Sequence, residues 1–320
     1  MNKKYLMATV FALIFFGLLA WWASLPSKPV TVMIAENSSA KAIADVLYGA
    51  KVISSKVVFR AVVKLSGRSK GLKAGTYLIS PRASVFSIAR MIISGKGKFE
   101  KITIPEGYSS VEIAGALASK GVINKEKFLE LVNNKQLEGY LFPDTYYFDR
   151  NLPEQVVIDK MLKEFDKNFT PGMQARADEL KMGKKKIITL ASIIEKEAVV
   201  ADERPLISGV FYNRLKKGWM LESCATIQYA LGVHKPKLSF KDTRIDSPYN
   251  TYKCYGLPPA PICNPGRDSI NAALYPAQTD EMFFVAGSSG AHIFSKYYSE
   301  HINNKIKQKK ARKQLSTATQ

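Results

Sequence analysis

The sequence predicts an α+β chain. Three observations carry that prediction: an uncharged run at the start, a strand–helix unit that occurs twice, and a helical period through the middle. Its 320 residues suffice for one large core or two modest ones. They include 47 Lys and Arg against 27 Asp and Glu, and 46% are hydrophobic, which excludes a disulfide miniprotein, a collagen and an acidic disordered tail. The formal charge of +20 calls for anionic surroundings: nucleic acid, phospholipid headgroups or an acidic cell-surface polymer. Three cysteines do not make a disulfide framework.

The first element is apolar. Tyr5 to Leu25 holds no charge and is followed by Pro26 and Pro29. As a helix it is roughly 31 Å long, about the hydrocarbon thickness of a bilayer. The run is longer than the apolar region of a cleaved signal peptide, and Trp21 and Trp22 at its far end suit a headgroup layer, so a retained single-pass anchor is expected. With Lys3 and Lys4 on the near side, a short cytoplasmic tip and an exported body is the simpler topology, although Lys28 and Lys41 make the charge bias slight.

The next stretch repeats with a constant offset of 70: Val32 to Ser39 matches Ile102 to Ser109, and the match continues through Ile43/Ile113, Ala44/Ala114, Leu47/Leu117, Val52/Val122 and Ile53/Ile123. Each copy reads as a strand, a Glu-containing turn, a serine cap and a helix. Ser109 and Glu112 have capping-box spacing. A further helix follows each copy, at Val57–Leu65 and Lys125–Asn133. Between the copies, Gly75–Ile79 reads as a strand and Ser84–Ile93 as a capped helix ending near Gly95. Leu141–Phe148 is an aromatic strand, and Pro153–Leu180 has a helical period.

Lys184–Ala198 is the helix on which chemistry is expected. Ile187, Leu190, Ala191, Ile194 and Ala198 share one face, Lys196 falls opposite, and Glu195 and Glu197 land on the two flanks. Periodicity does not choose between these glutamates. A carboxyl beside Ile188 and Ala191 would be desolvated and so suited to general acid work near neutral pH. The bland alternative is two solvated helix residues, or a capping box of Ser192 with Glu195. A second helix, Pro205–Lys217, follows Asp202, Glu203 and Arg204.

Ser247–Tyr252 and Tyr255–Gly266 are rich in Pro, Asn and Tyr and read as an ordered loop. Its amides and rings suit a polyhydroxylated ligand, by hydrogen bonds and flat faces against sugar rings; a purely structural loop is the alternative. His234, His292 and His301 are too scattered for metal-ligand spacing, and no metal or other cofactor is expected. Cys254 and Cys263 lie in this one loop, free to pair in an oxidising compartment or to stay thiols. Lys305–Lys313 is a basic tail whose six charges are under a third of the +20 excess. Nucleic-acid readout motifs are missing, as are Gly-x-Ser-x-Gly and His-Glu-x-x-His, so neither a nucleic-acid binder nor a protease of those types is expected.

Several separated motifs occur in order: Glu138–Tyr146, Leu190–Glu197, Glu203-Arg204, Val210–Leu215, Ser247–Tyr252, Gly256–Pro259, Asn264–Gly266, Ser269-Ile270 and Gly290–Ser295. Together they resemble the endolytic murein transglycosylase family, of membrane-bound lytic transglycosylase G type, over nearly the whole chain. The resemblance implies a membrane helix, a LysM-like small region and an α-rich catalytic domain. It implies internal cleavage of nascent peptidoglycan strands between N-acetylmuramic acid and N-acetylglucosamine, leaving 1,6-anhydro-N-acetylmuramic ends and limiting strand elongation. One departure stands out: where the family commonly shows Asp-Pro-Thr, this chain has Ser223, Cys224, Ala225 and Thr226, so no role for an aspartate carries over. Lys296-Tyr-Tyr298 also differs from the family's small hydroxyl residue after Phe-Ser.

The resemblance places the catalytic glutamate at Glu195, acting first as acid on the leaving oxygen and then as base on the sugar's own 6-hydroxyl. Hydrolysing glycosidases usually need two carboxyls; Asp202, Glu203 and Glu222 are the open candidates for a second. Tyr249, Asn250, Tyr252, Asn264, Glu138, Asp144, Thr226 and Tyr229 are expected along the glycan groove. The expected divisions are a cytoplasmic tip and anchor (1–28), a LysM-like module (29–98), a second strand–helix unit (99–150), a catalytic domain (151–303) and the basic tail (304–320). Expected partners are peptidoglycan strands, the bacterial plasma membrane through the N-terminal helix, with the body on its outer side, and the wall-synthesis machinery. The rival reading is a membrane-tethered murein-binding module without catalysis.

Overall fold

The computed structural model describes residues 28–318, apart from 36, 68–70, 96–97, 234, 236–237 and 289. The expected anchor, Tyr5–Leu25, and His234 lie outside the described residues. Among the described residues no helix is long and apolar enough to cross a membrane.

The elements follow in the order β1 (Val30–Ile34), α1 (Ala40–Gly49), α2 (Lys56–Leu65), β2 (Gly75–Ile79), α3 (Val85–Ser94), β3 (Lys98–Thr103), α4 (Ser110–Ser119), α5 (Lys125–Asn134) and β4 (Thr145–Phe148). Then come α6 (Glu154–Asn168), α7 (Pro171–Glu179), α8 (Gly183–Glu197), α9 (Arg204–Lys216), α10 (Cys224–Leu231), α11 (Arg267–Leu274), β5 (Phe283–Ala286), β6 (His292–Ser295) and α12 (Tyr298–Ala318). The chain is α+β and mainly helical. One sheet has the order β1-β2-β3-β4, and β5 and β6 form an antiparallel hairpin.

The repeat is realised residue for residue. The Ser39 hydroxyl accepts the Ala42 N–H at 3.2 Å and caps α1; Ser109 accepts the Glu112 N–H at 3.3 Å and caps α4, while the Glu112 carboxylate returns to the Ser109 N–H at 2.7 Å. Each such cap is worth about 1 kcal/mol. All five pairs of matched apolar residues are buried. The turns agree as well: Asn37 and Gly107 both have left-handed φ, at 59° and 79°.

Contacts divide the chain into two units: residues up to 101 with 147–150, and 102–146 with 151–320. In the first, β1 pairs antiparallel with β2, Val32 opposite Tyr77, and their inner faces pack on Ile43, Leu47, Phe59, Val63, Ile88 and Ile92. The second is built around α8. Every residue from Ile187 to Ile194 is buried, so α8 is an enclosed central helix rather than the one-sided helix its period suggested. Its neighbours are α7, α9, α10 and α11, which supply Ile207, Phe211, Ile270 and Leu274 to the shared core. Its two buried hydroxyls are satisfied by the helix itself: Thr189 donates to the Lys185 carbonyl at 2.8 Å and Ser192 to Thr189 at 2.7 Å.

Two expectations need correction. The Pro153–Leu180 helix is two helices, because Pro171 cannot continue α6 and starts α7 behind the capping hydroxyl of Thr170. The aromatic strand shrinks to Thr145–Phe148, since Pro143 has no ladder donor. The basic run Lys305–Lys313 is helical, lying within α12.

Candidate active site

The last turn of α8 presents Glu195 where the buried run ends. Its side chain is 6% exposed. One carboxyl oxygen accepts the Gly266 N–H at 2.9 Å, and the other stands 3.5 Å from Arg204 Nη2. Gly266 is the N-cap of α11, so the carboxyl faces the positive end of that helix. Arg204, at the start of α9, is itself aimed by the buried Ser269 hydroxyl, which accepts its Nε at 3.0 Å.

The turn before α4 closes over this carboxyl. Gly107 takes φ 79°, and its carbonyl accepts Lys196 Nζ at 3.2 Å. The turn is fastened to the Pro-rich loop by paired backbone bonds, Gly107 N–H to Asn264 and Asn264 N–H to Tyr108, at 2.9 and 2.8 Å. Glu106 arrives with it. A Cβ on Gly266 would run into the Glu106 carboxyl, so the same residue carries both acids, one on its N–H and one where a side chain would stand. Glu106 is exposed as a residue, but partial desolvation of its carboxyl first, then the Glu195 and Asp268 charges, push it above its ordinary range, with Arg204 pulling the other way.

Another buried carboxyl, that of Glu138, is bonded to the same loop. Glu138 accepts the Ser110 N–H at 3.0 and 3.2 Å and Asn264 Nδ2 at 3.0 Å. Burial pushes its carboxyl up to about 7, against the lowering pull of the Ser110 bonds. Tyr229 and Tyr249 pack nearby with their rings tilted 52° to each other and centres 4.9 Å apart, and burial raises both phenols, with the Glu138 charge adding to it.

The flanks of α8, which periodicity left equivalent, have different partners. Glu197 accepts the Ser223 hydroxyl at 2.5 Å and so holds the segment entering α10. The capping box of Ser192 with Glu195 does not form, because Ser192 is a buried mid-helix residue whose hydroxyl accepts the Ile262 N–H at 3.0 Å. Of the open second carboxyls, Glu203 binds His292 twice, at its N–H and its ring Nδ1, both 2.7 Å. Glu222 pairs with Arg214 at 3.2 Å, and Asp202 is exposed in the short turn before α9. None of these contacts is with Glu195. The second carboxyl beside it is Glu106.

The structure brings Glu138, Asn264, Tyr229 and Tyr249 together and gives other candidates different places. Asn264 is fully buried: both amide protons go to Tyr108 and Glu138, and its oxygen accepts the Leu141 N–H at 2.8 Å. Asn250, also fully buried, spends its donors on Thr243 and Ile245 and accepts from Tyr252. Both amides therefore shape the loop instead of facing a ligand, correcting the expectation. Thr226 is likewise enclosed, bonded to Ser223 and Thr251. The Tyr252 hydroxyl meets Cys224 Sγ at 3.1 Å, and burial raises it strongly. Asp144 is exposed at the start of β4, accepting the Thr145 N–H.

The three cysteines are free thiols, which decides the pairing question for Cys254 and Cys263: Cys263 is buried with its sulfur on the Ser192 carbonyl at 3.3 Å, while Cys254 is exposed. Sequence reasoning missed Glu106, Arg204 and Gly266 as site residues. Glu106 did have a signal, a carboxyl before a left-handed turn and a capped helix. Nothing local places it next to a residue 89 positions downstream.

Fold and site together define a mainly helical α+β protein that lodges one acidic side chain at the start of a short helix, between an arginine and a second carboxyl. A model of the YceG-like family matches residues 32–307, and the chain belongs to that family. It is 38% identical over 307 residues to an endolytic murein transglycosylase of Bacillus subtilis (strain 168), covering 88% of this chain and 84% of that protein. It is 30% identical over 329 residues to the endolytic murein transglycosylase of Streptococcus pneumoniae serotype 2, covering 87% of this chain and 59% of the relative. A crystal structure of a YceG-like protein from Listeria monocytogenes superposes with a TM-score of 0.59 at 35% identity, covering 87% of this chain and 99% of that one.

Proposed function

We propose that this chain is an endolytic murein transglycosylase, the activity for which its Bacillus and Streptococcus relatives are named, and that Glu195 performs both proton transfers. The observation that carries this reading is the setting of Glu195: a nearly buried carboxyl on a rigid central helix, held by the Gly266 N–H and flanked by Arg204. In the first half of the reaction Glu195 protonates the oxygen linking N-acetylmuramic acid to N-acetylglucosamine, and the C1–O bond breaks. In the second half the resulting carboxylate takes the proton of the muramic 6-hydroxyl as that oxygen bonds to C1. The proton returns to its starting point, no water is consumed and a 1,6-anhydro end remains. A carboxyl positioned in this way contributes about 10²–10⁴ in rate.

Supporting roles follow from the surroundings. Tyr229 and Tyr249 offer aromatic faces to sugar rings, and Glu138, Asn264, Asn250 and Thr226 fix the walls that carry them. In the same proposal Tyr5–Leu25 is a single-pass anchor in the plasma membrane with the body outside, the first repeat is a LysM-like module ahead of the catalytic part, and the chain contacts the wall-synthesis machinery. The +20 excess of charge suits anionic headgroups beside the anchor and the acidic peptide stems of murein.

The test is mass spectrometry of murein strands incubated with the full chain in detergent. Anhydro ends from the wild type and none from a folded Glu195→Gln variant are expected, a loss of at least 100-fold. Reducing ends would mean hydrolysis. Binding without any product from the wild type would mean a tethered murein-binding module.

A further inference from the structure

Helix α2 of the first unit has two apolar faces. Phe59 and Val63 point into that unit's core. At 100° per residue, Val57, Ala61 and Leu65 form a straight stripe on the opposite side, with Val58 on one edge and Arg60 and Lys64 on the other. That stripe faces outward: Val57 is 73% exposed and Leu65 87%. A contiguous apolar surface of this kind, rimmed by polar groups, marks a contact. The charge around it has one sign. Between Asp45 and Glu100 the sequence holds eleven Lys and Arg and no acid, and Asp45 on the neighbouring α1 is already paired with Lys56 at 2.8 Å. We propose that this outer face of α2 docks on an anionic phospholipid bilayer.

Two arguments select a bilayer over other anionic partners. A hydrated acidic polymer would use Arg60 and Lys64 but leave Val57 and Leu65 in water. Lipid takes both: the apolar side chains enter the headgroup boundary, and the basic stems lie along it with their charges at the phosphates. The uncharged run of the sequence also ends close by. Leu25 precedes the start of β1 by five residues, at most about 18 Å of extended chain, so an anchored Tyr5–Leu25 keeps this unit at the surface. The docking is a reversible contact added to the anchor, and it rests on the reading of Tyr5–Leu25 as a membrane span.

The test uses the full chain in vesicles, with the exposed Cys224 and Cys254 replaced by Ser and an environment-sensitive dye on Leu65→Cys. In vesicles containing phosphatidylglycerol the dye emission should shift to the blue and be quenched by spin-labelled lipid. In pure phosphatidylcholine, or at high salt, both signals should fade. A dye on Met33→Cys, on the sheet face turned away from the helices, should stay in water. Replacing Arg60 and Lys64 by Gln should lower the docked-to-free ratio about 25-fold, at roughly fivefold per charge. Val57→Cys gives the reading should the Leu65 variant not fold. A labelled chain that floats with the vesicles while its dye remains in water, or enters both lipids equally, overturns the docking surface and leaves the anchor in place. A dye response to murein fragments and not to lipid does the same. Failure of the chain to float with vesicles rejects the anchor, and the docking with it.

Discussion

Replacing Glu138 with Gln should stabilise this protein at alkaline pH. The carboxyl is displaced from 4.5 to about 7, chiefly by burial. That displacement is equivalent to about 3 kcal/mol of preference for the protonated form in the fold. Below pH 4.5 the group is protonated in folded and unfolded chains alike and has no effect. Between there and pH 7 the unfolded chain releases its proton while the folded one keeps it, so stability falls as pH rises. Above 7 the loss levels off. Glutamine keeps the two strongest contacts, its oxygen accepting from Ser110 and Asn264 as Glu138 Oε1 does at 3.0 Å, while its amide can donate to the Tyr229 hydroxyl. The difference between variant and wild type in urea or thermal unfolding, followed from pH 4.5 to 8, isolates this one group from all others that titrate. It should grow across the window to about 3 kcal/mol, or roughly 6–12 °C in Tm for a unit of this size. A difference flat with pH, or a variant less stable than wild type at pH 8, refutes the reasoning. Anhydro-product release should survive in this variant, in contrast to Glu195→Gln.

Two further outcomes can be measured alongside. Ser192→Ala leaves the buried Ile262 N–H without its acceptor and should cost about 1–3 kcal/mol, read as a lower urea midpoint at unchanged slope. Gly266→Ala suits its φ of −76° and meets first the flexible end of Glu106, so its unfolding free energy should stay within about 1 kcal/mol of wild type, read from urea unfolding.

Much of the fold was legible because its signals are local. Ser39, Ser84 and Ser109 each accept the backbone N–H three residues on, which is why the helix starts stood out as serines before apolar periods. The repeat was visible because the same buried positions recur at one spacing. What periodicity could not supply was the surroundings of α8. A helix packed on several sides does not advertise which flank is chemical, and Glu195 and Glu197 were separated only by what meets them, Gly266 in one case and Ser223 in the other. The same limit hid α10 and α11, eight residues each, too short to show a period. It also misassigned Asn250 and Asn264. An amide in a Pro-rich loop looks like a ligand contact until its donors are followed to carbonyls and a carboxylate within the chain.

Asn264 ties its own loop to two stretches far away in sequence: Tyr108 in the turn before α4, and the segment ahead of β4 through the Glu138 carboxyl and the Leu141 N–H. A knot of this kind makes the acid's enclosure an all-or-nothing object. If the amide lets go, the Glu106 turn, the Glu138 carboxyl and the loop lose their mutual reference in one event, while the helices around α8 keep their own packing. Warming or mild denaturant should therefore silence the chemistry at a point where the circular dichroism of the helices is still intact.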